Sequence, residues 1–275
     1  MKLIQSKVEI IEQNNSIEDI YKHIERCGRV CYKSEDKITP DSAKEFVDRL
    51  IKSKHGAMLE HGTVYLTIPL QSEKAYKYVM NPYSKVNTLT LDNVNENAYI
   101  TTNYRVLVEN NWLDDLRYIC EPTDHHEKRI TVKFTCDRGV SHEFVRHRVF
   151  SFAQESTRFC NYNKDKFNNE ITFIYPCWSY IKTDAYNGVD KFDGDYFEHS
   201  LREAEFYYFK LLELGWKPQQ ARQILPNALK TELVMTGFES DWQHFFDLRC
   251  AKDAHPDAQK LANELKELMY GSKEV

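Results

Sequence analysis

The stretch Ile130-Thr-Val-Lys-Phe-Thr-Cys136 alternates apolar and polar side chains, which puts Ile130, Val132 and Phe134 on one face. A period of two predicts a β-strand with one buried face. Residues 63–70 and 171–175 are also rich in β-branched and aromatic side chains and are predicted strands. The chain therefore contains a β-sheet.

Amphipathic helices are predicted before these strands. Apolar residues recur three and four positions apart in residues 16–28 and 40–54. Ser16 and Thr39 precede the two segments and are suitable N-caps, because their hydroxyl oxygens can accept from backbone N–H groups of the first turn.

Helices are expected to dominate after residue 194. The predicted segments are 195–214, a short helix from Pro218, 240–250 and a helix from Pro256. This order of elements predicts an α+β fold with helices packed on an antiparallel or mixed sheet. We find no repeat or linker, so residues 1–275 are expected to form a single domain, with insertions near 81–97 and 182–194.

Composition restricts the partners of the chain. Thirty-seven basic and 42 acidic residues give a net charge of −5, so phosphate backbones and anionic membranes are weakly repelled and an anionic ligand needs a local pocket. No apolar run approaches the roughly 18 residues that span a bilayer, and residues 1–15 lack signal-peptide features. We expect a cytoplasmic protein that binds neither membranes nor nucleic acid.

The cysteines are predicted to be reduced thiols. They are odd in number, dispersed and without a CxxC pair, unlike a disulfide framework or a structural zinc site. They are Cys27, Cys31, Cys120, Cys136, Cys160, Cys177 and Cys250.

The densest chemistry lies between residues 143 and 159, where three arginines and a histidine fall within the thirteen residues 146–158. If residues 140–148 were helical, Arg146, His147 and Arg148 would point about 100° apart and could not share one face. They would then serve two ligands, or one ligand and another subunit.

The end of this cluster is suited to an oxyanion such as phosphate. Arg158 follows two hydroxyl residues, Ser156 and Thr157, so a guanidinium group lies beside hydroxyl and amide donors. The alternative is a solvated basic face with ion pairs to Glu143 and Glu155.

Metal binding is not predicted. His142-Glu143 with His147 resembles HExxH, but its histidines are five positions apart, which separates them by about 140° on a helix. Asp253, His255 and Asp257 surround Pro256, which indicates a helix start rather than a ligand set.

The order Arg146-His147-Arg148, seven residues, then Ser156 resembles the RHR-x7-S signature of flavin-dependent thymidylate synthases, and the similarity extends through Arg158. Other landmarks occur in family order over residues 20–265. They are His55 with Glu60-His61, Asn103-Tyr-Arg105, Ala221-Arg222-Gln-Ile-Leu225-Pro226, Trp242-Gln-His244-Phe-Phe-Asp-Leu248-Arg249 and Ala258-Gln259.

The resemblance implies reductive methylation of dUMP at C5 to give dTMP. 5,10-Methylenetetrahydrofolate would donate the carbon, NADPH would be the reductant and FAD the redox carrier. It also implies a homotetramer whose active sites are shared between subunits.

The resemblance also implies the site residues. Contacts to dUMP fall on Glu143, Arg146, Gln154, Glu155, Ser156, Thr157, Arg158, Arg222 and Arg249. Contacts to FAD fall on Cys31, His55, Glu60, Arg146, His147, Arg148, Gln154, Phe238, Ser240 and His244.

Arg249 is the implied catalytic residue. A fixed cation at the uracil edge would stabilise negative charge at N3/O2 or O4 and make C5 a better nucleophile, so no covalent enzyme nucleophile is required. Pro176-Cys177 is similar to the Pro-Cys pair of the unrelated thymidylate synthase, but the histidine that follows it there is missing, so Cys177 is not expected to attack uracil.

The chain departs from the family pattern at several of these positions. His244 lies where relatives can carry an amide, and Gln154 lies where some carry an acid. Cys31 lies where a serine often meets FAD, and Phe238 and Ser240 lie where polar or basic contacts to FAD are seen.

Two other functions fit parts of the sequence. Arginines interleaved with aromatic residues over 144–162 would suit a module that binds single-stranded nucleic acid, although the net charge and the lack of a second basic stripe oppose it. An FAD oxidoreductase with another substrate is the second, although no GxGxxG follows a predicted strand.

Overall fold

The computed structural model describes residues 1–70, 72–89, 97–158, 162, 169–178 and 193–271. In chain order, its strands are β1 (Lys2–Ile4), β2 (Lys7–Ile11), β3 (Thr63–Pro69), β4 (Lys85–Leu89), β5 (Asn97–Asn103), β6 (Arg129–Asp137), β7 (Ser151–Gln154), β8 (Thr172–Ile174) and β9 (Lys230–Phe238). Its α-helices are α1 (Ile17–Tyr32), α2 (Ser42–Lys52), α3 (Tyr76–Val79), α4 (Tyr104–Glu109), α5 (Arg138–Phe144), α6 (Asp193–Glu213), α7 (Pro218–Ala221), α8 (Glu239–Arg249) and α9 (Pro256–Tyr270).

The strands form three sheets. The largest is antiparallel in the order β2-β6-β9-β7, and the second is antiparallel in the order β3-β5-β4. Strands β1 and β8 pair in parallel. The α+β class is confirmed, with mostly antiparallel pairing.

Strand β6 lies at the centre because both its faces are covered. Val132 and Phe134 pack against Trp242 and Phe245 of α8 and against α9. On the other side of the same sheet, Val234 of β9 packs against α1. Helix α1 also contacts the second sheet, so it connects the two sheets through buried side chains.

Helix α1 begins as predicted. The Ser16 side chain accepts a hydrogen bond from the backbone N–H of Asp19. The Thr39 cap is wrong, because α2 begins at Ser42 with Asp41 as its N-cap. The Ser42 hydroxyl donates to the Thr39 carbonyl and stabilises the turn before the helix.

Helices dominate after residue 194, as expected, but residues 230–238, which the sequence analysis left unassigned, form the strand β9 between β6 and β7. Lys, Glu, Leu and Met within this segment are good helix formers, so local propensity did not reveal the strand. Pairing with nine residues of β6 decides its conformation. Gly237 allows the close approach of a ring here, since a Cβ at Gly237 would lie 2.5 Å from the Phe150 ring.

The predicted insertions fall partly outside the described residues. The stretch 81–97 contains β4 and the start of β5, with 90–96 outside the described part. Of the stretch 182–194, only the first two residues of α6 are described.

Candidate functional site

Arg249, the last residue of α8, is held by two residues more than a hundred positions earlier. Its Nη1 donates to the Glu143 carboxylate at 2.6 Å, and its Nη2 donates to the Glu143 carbonyl at 2.7 Å. Its Nε donates to His147 Nε2 at 3.0 Å. A guanidinium group carries five N–H donors, so one donor on each Nη remains for a ligand.

The electrostatics of Arg249 reflect partial burial, with 15% of its side chain exposed. Burial lowers the pKa of Arg249, the nearby charge of Arg146 lowers it further, and the Glu143 carboxylate opposes both. An arginine remains protonated at neutral pH even so, which makes Arg249 a permanently charged group in a fixed position.

His147 is neutral in this arrangement. It is 6% exposed, and burial, followed by the charges of Arg249 and His244, lowers its pKa to about 4. Because Nε2 accepts from Arg249, the ring proton is on Nδ1. A neutral acceptor orients the guanidinium without neutralising its charge.

The three residues of the RHR triplet point apart. Helix α5 ends at Phe144, so the triplet follows the helix in a turn rather than continuing it. Arg146 and Arg148 are exposed, whereas His147 is buried. The predicted divergence is therefore present, although a turn and not a helix produces it.

The loop that follows β7 is fixed by backbone and side-chain bonds. The Ser156 N–H donates to the Cys31 carbonyl at 3.0 Å, which fastens the loop to the end of α1. Arg222 Nη1 donates to the Thr157 hydroxyl at 2.8 Å. Arg222, Thr157 and Ser156 are therefore brought together from distant parts of the chain, as predicted for one site.

Buried ion pairs hold the start of this loop against β9. Lys230 bonds Glu155 at 2.7 Å and Glu232 at 3.0 Å, and Lys33 bonds Glu232 at 2.5 Å. Burial alone would raise the pKa of Glu232, but Lys230 and Lys33 outweigh it and lower that pKa to about 2. The Glu155 side chain, 3% exposed, serves this network.

Gln154 also turns inward. Its amide donates to the Ser141 hydroxyl at 2.9 Å and to the Thr231 hydroxyl at 3.3 Å. These bonds join β7 to α5 and β9, so they link the segment before the loop to the helix that carries Glu143.

A cleft of about 700 Å³ opens between the second sheet and the β7–β9 end of the first. Glu60, Arg148 and Phe238 line it, as do Arg105 and Arg129, which were not assigned to a site from the sequence. The Glu60 carboxylate accepts from Arg105 Nη1 at 2.5 Å. Arg105 belongs to one of the family landmarks of the sequence, whereas nothing in the local sequence indicated that Arg129 belongs to a site.

Ser240 lies at the edge of this cleft and contacts a lysine that the sequence did not indicate. Lys85 Nζ donates to the Ser240 hydroxyl at 2.6 Å, and that hydroxyl donates to Glu127 at 2.6 Å. The Lys85 ammonium also lies 4.6 Å from the centre of the Phe238 ring. Lys85 comes from β4, within a stretch that was expected to be an insertion.

Three of the residues assigned to FAD from the sequence do not line the cleft. His55 is exposed, with Nδ1 3.4 Å from the Tyr32 hydroxyl. His244 is exposed, with its ring 6.1 Å from that of His147. Cys31 donates to the Met58 sulfur at 3.7 Å, and burial raises its pKa to about 11.

The signature is divided by a strand. Arg148 lies before β7 and Ser156 lies after it, so the two residues are at opposite ends of β7. The RHR triplet and the Ser156 loop are therefore joined by β7 and do not lie in one continuous loop.

Cys177 has the properties of a protonated thiol. Partial burial and the Asp257 carboxylate raise its pKa to about 11. The Cys177 backbone N–H donates to that carboxylate at 2.8 Å. Six of the seven cysteines belong to the described residues, and each is a free thiol, while Cys160 lies outside them.

Three of the described aromatic residues of the 144–162 cluster are buried and therefore cannot stack on bases. Phe144, Phe150 and Tyr162 are each at most 5% exposed and belong to hydrophobic cores. A module for single-stranded nucleic acid needs such rings at its surface.

The described residues lack two further features. No three His, Cys, Asp or Glu side chains there are grouped as a metal site would need. No helix there has the length and apolar character required to cross a bilayer.

The chain was compared with known proteins. Residues 121–271 match the profile of the family described as thymidylate synthase complementing protein. The chain is 31% identical over 134 residues to the flavin-dependent thymidylate synthase of Geobacter sulfurreducens, covering 49% of this chain and 53% of the relative. It is 32% identical over 130 residues to that of Sulfurisphaera tokodaii, covering 47% and 45%.

The chain thus spans about half the length of the curated relatives it matches. A solved structure, the UMP/dUMP methylase PolB from Streptomyces cacaoi bound with 5-Br dUMP, aligns with a TM-score of 0.44 at 17% identity. The alignment covers 98% of this chain and 92% of PolB.

Proposed function

The chain belongs to the family of the thymidylate synthase complementing protein, and we propose that it is a flavin-dependent thymidylate synthase. The proposed reaction is the reductive methylation of dUMP to dTMP, with 5,10-methylenetetrahydrofolate as carbon donor and NADPH as reductant. FAD, when bound, would carry the reducing equivalents from NADPH to the transferred carbon.

The position of Arg249 carries this proposal. Its guanidinium is fixed by Glu143 and His147 and keeps two N–H donors that make no bond in these contacts. Such donors suit the acceptors at the edge of uracil, where negative charge develops as C5 becomes nucleophilic. The Glu143 carboxylate balances part of the charge of Arg249, whereas neutral His147 adds no second counter-charge, so the remaining positive potential acts on the pyrimidine.

The Ser156 loop is the proposed position of the dUMP phosphate. Ser156, Thr157 and Arg158 supply hydroxyl and guanidinium donors, and Arg222 fixes Thr157 at 2.8 Å. The buried Lys230–Glu155 pair holds the start of the loop in place, so Glu155 acts as a positioning residue and not as a direct ligand of dUMP.

The residues of the cleft fit an anionic flavin nucleotide. Its volume of about 700 Å³ lies within the roughly 300–1,000 Å³ of typical ligand sites. Arg148 supplies an exposed guanidinium, Phe238 an aromatic surface and Glu60 a carboxylate already held by Arg105. The FAD assignments of Cys31, His55, Arg146, His147, Gln154, Ser240 and His244 remain predictions.

The properties of Cys177 support a mechanism without a covalent enzyme nucleophile. A thiol whose pKa is about 11 is almost entirely protonated at neutral pH, and the thiolate is the reactive species. We expect Cys177→Ala to retain most of its activity.

A site shared between subunits is proposed because β7 separates Arg148 from Ser156. A second copy that supplies one of the two residues to a site formed by the other would join both ends of the signature, as in the proposed homotetramer. A monomer that retains FAD and methylates dUMP would contradict this assembly. A cytoplasmic location remains a prediction.

The test is the absorption spectrum of the purified protein, followed by assay of dTMP. We expect a yellow protein whose flavin band is bleached by NADPH at a rate that dUMP changes, and dTMP formation that requires methylenetetrahydrofolate. A colourless protein that binds oligonucleotides in a salt-sensitive way would overturn the proposal in favour of the nucleic-acid module.

A further inference from the structure

Arg129, the first residue of β6, is a cation of the cleft wall with incomplete bonding. Its Nη1 donates to the Glu60 carbonyl at 3.0 Å and lies 3.4 Å from the Thr63 hydroxyl. Its Nε is buried and has no hydrogen-bond partner. Among the described residues it forms no ion pair with a carboxylate.

This bonding is costly for a protein without a ligand. Burial lowers the pKa of Arg129 to about 10, although Tyr65, Glu60 and Asp241 oppose this effect, so the group is still charged at neutral pH. Arg129 as a whole is partly buried. A partly desolvated charge without an ion-pair partner destabilises the folded state, and an anion that reaches the guanidinium from the cleft would relieve that cost.

The carboxylates nearest to Arg129 have other partners. Glu60 accepts from Arg105 at 2.5 Å. Asp241 accepts from the Phe238 N–H at 3.2 Å. These bonds hold the two carboxylates in place, so they influence Arg129 through space without pairing with it.

A second guanidinium in the same cleft is also unpaired. Arg148 is exposed, lines the cleft and forms no hydrogen bond or ion pair with its side chain in the described part of the chain. The Phe238 ring lies beneath both Arg129, at 5.5 Å, and Lys85, whose charge Glu127 balances at 2.8 Å. Arg129 and Arg148 are therefore two guanidinium groups of the cleft that form no ion pair with a carboxylate among the described residues.

We propose that Arg129 is a binding residue for the diphosphate of FAD, acting together with Arg148. A dinucleotide diphosphate carries two negative charges in adjacent groups, which matches two guanidinium groups on one cleft. The proposal rests on the proposed function for its choice of FAD. NADPH carries the same diphosphate chemistry and is therefore included in the test.

The test compares Arg129→Gln with the control Lys128→Gln. Lys128 is the exposed neighbouring residue, and only its backbone carbonyl is used, by the Glu239 N–H. The apoproteins are titrated with FAD, riboflavin and NADPH, with binding followed by flavin fluorescence or calorimetry. Riboflavin lacks the diphosphate and reports on the ring site alone.

We expect Arg129→Gln to lower the affinity for FAD about tenfold or more, the effect of losing a charge-assisted hydrogen bond. The affinity for riboflavin should be unchanged. The control should bind all three ligands as the wild type does. The thermal midpoint of apo Arg129→Gln should change little, because the loss of the bond to the Glu60 carbonyl is offset by removal of a partly buried charge without an ion-pair partner.

Three results would overturn the proposal. Equal weakening of FAD and riboflavin would make Arg129 merely structural, and unchanged FAD affinity would exclude it from the site. A lower affinity for NADPH with an unchanged affinity for FAD would assign Arg129 to the NADPH site. If Arg129→Gln does not fold, Arg129→Lys is judged by the same FAD-to-riboflavin ratio. Wild-type apoprotein that binds no FAD would overturn the proposed function itself.

Discussion

Replacing Arg249 with alanine should separate the two halves of the proposed reaction. The side chain makes three hydrogen bonds, and its remaining donors are available to stabilise charge on the uracil. Removing one such preorganised donor costs about 3 to 4 kcal/mol in the transition state, or roughly 10²- to 10³-fold in rate. NADPH-driven flavin reduction does not need that charge, so it should fall by much less.

Stability must be measured with the same variant. Arg249→Ala leaves the Glu143 carboxylate and His147 Nε2 without their donor, and the loss of a charged hydrogen bond costs about 1.5 to 3 kcal/mol. Urea unfolding gives this loss directly. If the variant is folded at the assay temperature, the catalytic effect is separate from the structural one.

Two controls complete the experiment. Arg249→Lys keeps the charge but lacks the planar array of donors, so dTMP formation should lie between wild type and alanine. Arg202→Ala removes a 61% exposed arginine of α6 and should change neither half-reaction. Stopped-flow reduction and single-turnover dTMP formation are the two measurements. Equal loss in both for Arg249→Ala would refute the role of Arg249 at the uracil.

The remaining predictions concern stability, measured by urea unfolding. Burial lowers the pKa of His23 to about 4 and of His61 to about 3. The free energy of unfolding should therefore be at its full value above the unfolded pKa of about 6.5 and lower by about 2 kcal/mol per histidine at pH 5. A free energy of unfolding that does not change with pH would contradict this. Lys230→Met should cost about 3 kcal/mol by leaving the Glu155 carboxylate buried, and adding Glu155→Gln should recover part of that loss rather than increase it. Gly237→Ala should cost about 1 to 3 kcal/mol because its Cβ would overlap a buried phenylalanine ring, and an unchanged midpoint would show that the ring moves freely.

The spacing of apolar residues was sufficient to predict those helices and strands that bury one face. The strand at 130–136 and the helices before residue 54 follow their apolar spacing closely, as β6, α1 and α2 show. Proline correctly indicated the start of α9. The start of α2 was missed because a local turn, in which the Ser42 hydroxyl donates to the Thr39 carbonyl, precedes the helix. The strand β9 was missed because its pairing with β6 outweighed local preference.

The candidate site divides in the same way. The sequence by itself determined which residue types are present and in what order, including the RHR triplet, the Ser156 loop and the arginine that ends α8. Tertiary structure alone decided that Arg249 bonds Glu143 and His147, that β7 separates Arg148 from Ser156, and that Arg129 belongs to the cleft. The physical reason is that these relations depend on chain segments brought together by sheet pairing and core packing, for which spacing along the sequence carries no signal.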